Sequence, residues 1–157
     1  MLSNMEHSNK VVIFADGSSL GNPGPGGWGV VVVYPDDKSK VESQKLKVAE
    51  LGGGDKHTTN NRMELTATIN ALEFAQKLKA KSYKLVVHTD SRYVVNGITK
   101  WIHNWEKKNW IGTNKKEVLN RDLWQKLSRL SKGKVMEWKH VRGHVGIAGN
   151  ERADFLA

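Results

Sequence analysis

The sequence contains no cysteine and only three prolines among its 157 residues. Without cysteine there is no disulfide framework, no thiolate nucleophile and no cysteine-ligated zinc site. No apolar run reaches the length of a membrane span, and residues 1–10 lack the apolar segment of a signal peptide. We therefore expect a flexible leader (residues 1–10) and one cytoplasmic domain (residues 11–157) that makes no membrane contact.

Acidic residues are also scarce relative to basic ones. The chain has 25 Lys and Arg against 16 Asp and Glu, a net charge of +9. The excess is local, because ten Lys and Arg but only two acids lie between Lys77 and Lys116. Such a surplus favours a polyanionic partner such as nucleic acid. The alternative is a basic protein whose charge serves only its solubility.

Two apolar runs rich in β-branched residues predict strands that are buried on both faces, Val11–Phe14 and Lys84–Thr89. Each is followed by an aspartate, Asp16 or Asp90, and we expect Asp16 to end its strand. A carboxylate at the end of a buried strand is costly unless a positive charge meets it. Two such aspartates suggest a bound cation.

The other elements predict an α/β fold. Strands are expected at Trp28–Tyr34 and Gln44–Leu51. Two glycine-rich stretches are expected to lack regular structure, a loop at Leu20–Gly27 and a flexible linker at Gly52–Thr59. Strand–helix–strand order predicts that the first and fourth strands pair in parallel. The remaining predictions are a helix from Asn60 to about Lys79, a short helix capped by Ser91, a helix at Asn120–Ser131 ended by Gly133, a fifth strand at Val135–Val141 and a last helix from Asn150. The result is a five-stranded mixed sheet, three antiparallel strands and then parallel strands, flanked by helices.

Four acids are the candidate metal ligands: Asp16, Glu64, Asp90 and Asp154. Carboxylate oxygens without cysteine favour a hard cation such as Mg²⁺ or Mn²⁺. Two such ions about 3.5–4 Å apart can bracket a phosphodiester.

Each of these acids has an alternative role. Asp16 could begin a turn at the following glycine, and Glu64 stands three residues after Asn61, the capping-box spacing. Asp90 and the serine after it could cap the second helix, and Asp154 could stabilise the amino end of the last one.

The local contexts of the four acids decide between these roles. They are the stretches Phe14–Gly29, Thr58–Leu65, Thr89–Val94, Val141–His144 and Asn150–Asp154. These stretches resemble type 1 ribonuclease H. The resemblance covers essentially Val11 to Ala157. It implies the ribonuclease H-like fold and an endonuclease that hydrolyses the RNA strand of RNA–DNA hybrids, leaving 3′-hydroxyl and 5′-phosphate ends.

The resemblance also implies the site residues. Asp16, Glu64, Asp90 and Asp154 match the metal-binding acids, which would hold two Mg²⁺ ions with substrate, Mn²⁺ being a substitute. His144 matches a mobile histidine that shuttles protons or assists product release. The other histidines are expected on surface loops: His7, His57, His88, His103 and His140. We expect a monomer without a protein partner.

Substrate contacts follow from the same resemblance. Asn22, Asn60 and Asn61 match residues that contact the minor groove of the hybrid, and Thr59 and Asn120 match a pocket for a DNA phosphate. The segment Trp101–Lys116 resembles a basic protrusion, in which Lys107, Lys108, Lys115 and Lys116 attract phosphates and Trp101 and Trp105 flank the DNA backbone. For the two tryptophans packing is the alternative, because they are four residues apart on one helical face.

The chain departs from the family pattern in two places. The stretch between Asp16 and Glu64 is longer, and we expect longer loops at residues 35–40 and 52–56, away from the chemistry. Only eight residues follow from Asn150 to Ala157, which is marginal for a helix. We therefore expect Asp154 to be held less firmly and the protein to be less stable than a longer version.

Other functions remain to be compared with hybrid cleavage. One is a non-catalytic module that binds hybrids or duplexes, and another is a different nuclease or strand transferase on the same fold. A fragment of a retroviral polyprotein is a third. Binding a polyanion does not require four converging acids, which argues against the module.

Overall fold

The computed structural model describes residues 10–36, 46–78 and 83–142, and these form a five-stranded mixed sheet in the order β3-β2-β1-β4-β5. Strands β1, β2 and β3 pair antiparallel, whereas β4 pairs parallel with both β1 and β5. The predicted fold class and the parallel pairing are confirmed. The strands are β1 Lys10–Ser19, β2 Gly24–Pro35, β3 Leu46–Thr58, β4 Lys84–Thr89 and β5 Met136–His140.

Helices connect and cover the sheet. They are α1 Asn60–Gln76, α2 Arg92–Asn96, a π-helical turn Gly97–Trp101, α3 Ile102–Lys107 and α4 Arg121–Ser131. In the described ranges, none of the helices has both the length and the apolar character required to cross a membrane.

The core lies between the sheet and the helices α1 and α4. Helix α1 packs on β1, β2 and α4. Ile13, Val30, Leu65, Leu72 and Trp124 are fully buried there. The β-branched run of β1 and the apolar face of α1 thus form the two halves of one hydrophobic layer.

The first two strands are longer than the sequence predicts. Strand β1 does not end at Asp16 but continues to Ser19, paired with the glycine-rich start of β2 from Gly26 to Gly29. The prediction of an irregular loop throughout Leu20–Gly27 is therefore wrong in its second half. Cross-strand hydrogen bonding overrides the low strand propensity of glycine.

The predicted flexible linker is also part of the sheet. Gly52, Gly53 and Gly54 pair with β2 as a continuation of β3. A Cβ at Gly53 would collide with the indole of Trp28, so the bare backbone makes room for that ring. The expectation of a longer loop at residues 52–56 is therefore wrong, and most of the stretch expected at 35–40 lies outside the described residues.

Two boundaries differ by a few residues. Helix α1 ends at Gln76 rather than near Lys79, and β5 is one residue shorter at each end than Val135–Val141. Gly133 has the predicted left-handed backbone (φ 74°) just after α4. The leader, His144, Asp154 and the last helix from Asn150 lie outside the described residues.

Candidate active site

The sheet divides where two of the candidate acids lie. The last register position that β1 and β4 share joins Phe14 to His88. Beyond it β1 stays paired with β2, and the end of β4 stays paired with β5. The two strands therefore separate at a fork, and Asp16 and Asp90 follow the fork on its two arms.

Gly17 brings the start of α1 against the fork. A Cβ on Gly17 would collide with the backbone of Met63 and Glu64, so the helix touches the strand only because this position has no side chain. Asp16 is 6% exposed beside this contact. The contact brings the Glu64 backbone against the residue that follows Asp16, although the two acids are 48 positions apart in the chain (64 minus 16).

The carboxyl group of Glu64 also interacts electrostatically with Asp90. Burial raises the pKa of the Glu64 carboxyl to about 7, and the negative charge of Asp90 adds to the rise, whereas a hydrogen bond from Ser91 opposes it. A carboxylate in this environment is stabilised by a nearby positive charge. Glu64 and Asp90 therefore interact electrostatically, and Asp16 lies one residue before the contact between Gly17 and Glu64.

The alternative roles of Asp16 and Glu64 do not hold. The N-cap of α1 is Thr59, whose side chain accepts a hydrogen bond from the Arg62 amide (3.2 Å), so the capping box at Asn61 is wrong. Asp16 lies inside β1 and begins no turn. Ser91, as predicted, caps α2 by accepting from the Val94 amide at 3.1 Å.

The chemistry of the site fits a hard cation. Its donors are carboxylates at least partly buried, and the raised pKa of Glu64 is the mark of a carboxylate that lacks a compensating positive charge. Within residues 10–36, 46–78 and 83–142, no three His, Cys, Asp or Glu side chains lie close enough together to hold a metal ion. The fourth candidate, Asp154, lies outside these ranges.

Asn22 and Asn60, two of the three candidate minor-groove asparagines, are connected by a hydrogen bond. The Asn22 side-chain oxygen accepts from the Asn60 backbone amide (3.0 Å), and the Asn60 side-chain oxygen accepts from the Ser19 amide (3.2 Å). Each side chain keeps its NH₂ group for other partners. The half-buried Asn61 follows them on the first turn of α1.

Arg62 connects the two candidate phosphate-pocket residues. Its backbone amide donates to Thr59, and its guanidinium donates to the Asn120 side-chain oxygen at 3.2 Å. A two-point hydrogen bond to Asp122 (2.8 and 3.1 Å) anchors the guanidinium. That bond raises the pKa of Arg62 and lowers the pKa of Asp122. The sequence reasoning missed Arg62, although it stands between residues that it singled out.

Asn120 precedes α4 without capping it. Its backbone is left-handed (φ 60°), and its side chain makes no cap hydrogen bond. The amide nitrogen donates instead to the Tyr93 hydroxyl at 3.1 Å, and the Trp124 indole N–H donates to the same oxygen at 2.9 Å. Tyr93 and Trp124 were also missed, since hydrogen bonds between distant elements leave no periodic signal in the sequence.

The aromatic rings form a continuous cluster. Tyr93 and Trp101 are 6.0 Å apart between centroids, Trp101 and Trp105 are 5.9 Å apart, and Trp105 and Trp124 are 5.3 Å apart. Trp124 is fully buried, whereas Trp101 is 38% exposed. The packing alternative therefore describes Trp105 better than Trp101.

The predicted basic protrusion consists of the last residue of the π-helical turn, helix α3 and the mostly exposed turns that follow it. Asn109 and Trp110 both have positive φ (54° and 64°), which ends α3 abruptly. Trp110 is buried and joins the segment to the core. The four candidate phosphate-attracting lysines are all exposed: Lys107, Lys108, Lys115 and Lys116.

The described histidines do not lie on surface loops, because His57, His103 and His140 are exposed positions of β3, α3 and β5. His88 is not on a surface loop but half-buried in β4, stacked on Phe14 at 4.7 Å, and burial lowers its pKa. A second, His140, has its Nε2 atom 3.1 Å from the Asp90 carbonyl oxygen. The fork brings both beside the candidate acids.

Comparisons with known proteins agree on one family. The RNase H family model matches residues 8–157. The chain belongs to the ribonuclease H family. The ribonuclease H of Thermosynechococcus vestitus is 49% identical over 145 residues, 92% of this chain and 84% of that one. The ribonuclease H of a Caulobacter species is 47% identical over 148 residues, 94% of this chain and 87% of that one.

Solved structures agree with this ribonuclease H assignment. LC9-RNase H1, a type 1 RNase H with the type 2 active-site motif, aligns with a TM-score of 0.80 at 36% identity, covering 96% of this chain and 71% of that one. LC11-RNase H1 in complex with an RNA/DNA hybrid aligns with a TM-score of 0.64 at 26% identity, covering 93% of this chain and 92% of that one. The resemblance to type 1 ribonuclease H is confirmed.

Proposed function

We propose that this ribonuclease H is a metal-dependent endonuclease that hydrolyses the RNA strand of RNA–DNA hybrids, leaving 3′-hydroxyl and 5′-phosphate ends. The observation that carries the proposal is the fork in the sheet, where Asp16 and Asp90 stand on two arms and Gly17 admits Glu64. A binding protein gains nothing from collecting buried negative charge at the surface that meets a polyanion.

The acids have the role of metal ligands in this proposal. Asp16, Glu64 and Asp90, with Asp154, would hold two Mg²⁺ ions in the presence of substrate, and Mn²⁺ would substitute. Such ions, when bound, lower the pKa of the attacking water and stabilise the charge on the leaving oxygen. His144 serves as the titratable group that carries a proton or helps the product leave.

Recognition of the hybrid falls to neutral amides and exposed lysines. The NH₂ groups of Asn22 and Asn60 are available to the 2′-hydroxyls that mark an RNA strand. Thr59 and Asn120 bind a phosphate of the DNA strand. The exposed lysines Lys107 and Lys108 attract phosphates without reading sequence. We infer from the family resemblance that the enzyme acts as a monomer in the cytoplasm.

One experiment separates this activity from the alternatives. Labelled RNA–DNA hybrid, double-stranded RNA and double-stranded DNA are each incubated with the protein in Mg²⁺, with and without a chelator. Cutting of only the RNA strand of the hybrid, abolished by the chelator, is the expected result. Binding without cutting would indicate a non-catalytic module, and cutting of the other duplexes would indicate a different nuclease.

A further inference from the structure

In the hydrogen bonds that join α1, α2 and α4 around Asn120, the chemistry of the groups fixes which one donates and which one accepts. A guanidinium can only donate, so the Asn120 atom that faces Arg62 at 3.2 Å is the amide oxygen. The Asn120 nitrogen must then face Tyr93, and it donates to the tyrosine oxygen at 3.1 Å. The Trp124 indole N–H also can only donate, and it reaches the same oxygen at 2.9 Å.

The Tyr93 oxygen therefore accepts two hydrogen bonds, and its own proton must point in a third direction. Among the described residues no side chain or carbonyl accepts that proton. The Tyr93 side chain is half-buried, and its ring lies 6.0 Å from the ring of Trp101, which is exposed at the surface. A hydroxyl held in this way can donate its proton only to an acceptor on a bound molecule.

The Thr59 hydroxyl and the Asn120 amide also each keep a proton that is not used in a hydrogen bond between described residues. The Thr59 oxygen accepts from the Arg62 amide, which leaves its hydroxyl proton unused within the described ranges. Asn120 spends one amide hydrogen on Tyr93 and keeps the other. Arg62 ties both residues together. Three unspent protons, held in place by the Arg62–Asp122 pair, suit an acceptor-only anion.

We propose that the Tyr93 hydroxyl donates a hydrogen bond to a phosphodiester oxygen of the DNA strand, in the pocket that Thr59 and Asn120 form. This inference rests on the proposed function, because it names a further contact of the same substrate. Phosphate oxygens can only accept, and they complement a donor that cannot turn round. Arg62 and Trp124 are positioning residues, since they orient Asn120 and Tyr93 without themselves supplying the free protons.

A structural role alone gives a different expectation. If Tyr93 only receives hydrogen bonds from Asn120 and Trp124, its removal weakens the fold and all hybrids bind less well by the same factor. If Tyr93 donates to one phosphate, its removal changes the response to one position of the DNA strand. Binding is therefore measured with a set of hybrids, each carrying one neutral methylphosphonate in the DNA strand, in chelator so that no strand is cut.

Wild-type protein is expected to lose about tenfold in affinity when the methylphosphonate occupies the pocket position, because charge-assisted hydrogen bonds are lost there. Tyr93→Phe keeps the ring and should lose only about threefold at that position, with wild-type losses elsewhere. Tyr34→Phe, which removes a hydroxyl from a ring packed on Phe74, is the matched control and should reproduce the wild-type profile. An undiminished tenfold loss in Tyr93→Phe overturns the inference.

A second measurement needs no variant at position 93. The chain has three tyrosines, so protein labelled with 3-fluorotyrosine gives three ¹⁹F resonances, assigned by replacing Tyr34 and Tyr83 in turn. The Tyr93 resonance should shift on adding intact hybrid and shift less with the methylphosphonate hybrid. Equal shifts with both hybrids contradict the inference. If the wild-type protein neither binds nor cuts hybrids, the proposed function itself fails.

Discussion

The acid side and the basic side of the candidate site are built in opposite ways. The acid side consists of Asp16, Glu64 and Asp90, placed by backbone contacts at the fork and partly removed from water. The basic side consists of the exposed lysines of residues 101–116 and the ring of Trp101, attached to the core through buried aromatic rings. One side is positioned by the sheet and the other by packing between helices.

The difference separates two tasks. Groups that hold ions at a reacting phosphate must be placed accurately, and backbone placement at a fork provides that. Groups that only attract a polyanion tolerate movement, because their Coulomb energy changes slowly with distance. The acid side should therefore govern rate and the basic side affinity, and the predictions below test that division from the largest effect to the smallest.

Asp90→Asn should have the largest effect. Loss of one ligand charge at the fork should reduce cleavage by at least about 10³-fold, since charge stabilisation of the transition state depends on the bound ions. Hybrid affinity in chelator should remain within about threefold of wild type, because the change removes negative charge near a polyanion. Single-turnover cleavage and equilibrium binding measure the two quantities.

The control for Asp90→Asn is Asp36→Asn, in which the lost charge is paired with Lys47 beyond the opposite end of β2. It should leave both rate and affinity unchanged. Wild-type turnover in Asp90→Asn would refute the two-ion assignment.

Gly97→Ala tests how the basic side is attached. A Cβ there would collide with the buried indole of Trp124, so we expect a loss of about 2–3 kcal/mol in the free energy of unfolding. Because Trp124 supports Tyr93 and Trp105, affinity should fall more than the single-turnover rate at saturating hybrid. Gly133→Ala, at a left-handed position with open space around it, is a control that strains the backbone without moving Trp124.

Glu64→Gln should stabilise the protein in chelator while abolishing cleavage. The folded-state pKa of Glu64 is raised from 4.5 to about 7. The wild-type protein therefore has its full free energy of unfolding below pH 4.5 and loses stability as the pH rises towards 7. Glutamine carries no charge and avoids that loss. Thermal melts should show a gain of about 2 kcal/mol at pH 8 and almost none at pH 4.

The control for this stability measurement is Glu117→Gln, at an exposed position paired with Arg121. Its stability should change little between the two pH values. A Glu64→Gln gain that is equal at pH 4 and pH 8 would contradict the burial of a charged carboxylate.

Lys107→Ala combined with Lys108→Ala should have the smallest effect and should alter binding alone. Removing two phosphate contacts should weaken binding about fivefold near physiological salt and reduce the salt dependence of log Kd by about one to two. The rate at saturating hybrid should not change. The double variant Lys47→Ala and Lys126→Ala removes the same charge elsewhere, so equal weakening would show that only net charge matters.

Much of the fold could be predicted because its signals are local. The β-branched run of β1, the apolar face of α1 and the serine cap of α2 each follow from neighbouring residues. The glycine segments were misjudged because their strand structure depends on the Trp28 ring and on a partner strand, neither of which propensity describes.

The candidate site divides in the same way. The acids were predicted because carboxylates next to apolar runs are visible in the sequence and because the family resemblance names them. Arg62 and Tyr93 escaped because their importance lies in hydrogen bonds that span 58 positions to Asn120 and 31 to Trp124. His88 was misplaced because nothing local shows that its ring would pack against Phe14.

The fork has a consequence for the order of events during folding. The His88 Nδ1 atom lies 3.3 Å from the Ile13 carbonyl oxygen across the pairing of β1 and β4, and the two residues are 75 positions apart in the chain. Parallel pairing over such a separation requires closing a long loop, which is slow compared with forming the local helices. The acids meet only after that closure, so we expect a refolding chain to regain helical signal before catalytic competence. The time course of recovered activity therefore reports when the pairing of β1 and β4 is complete.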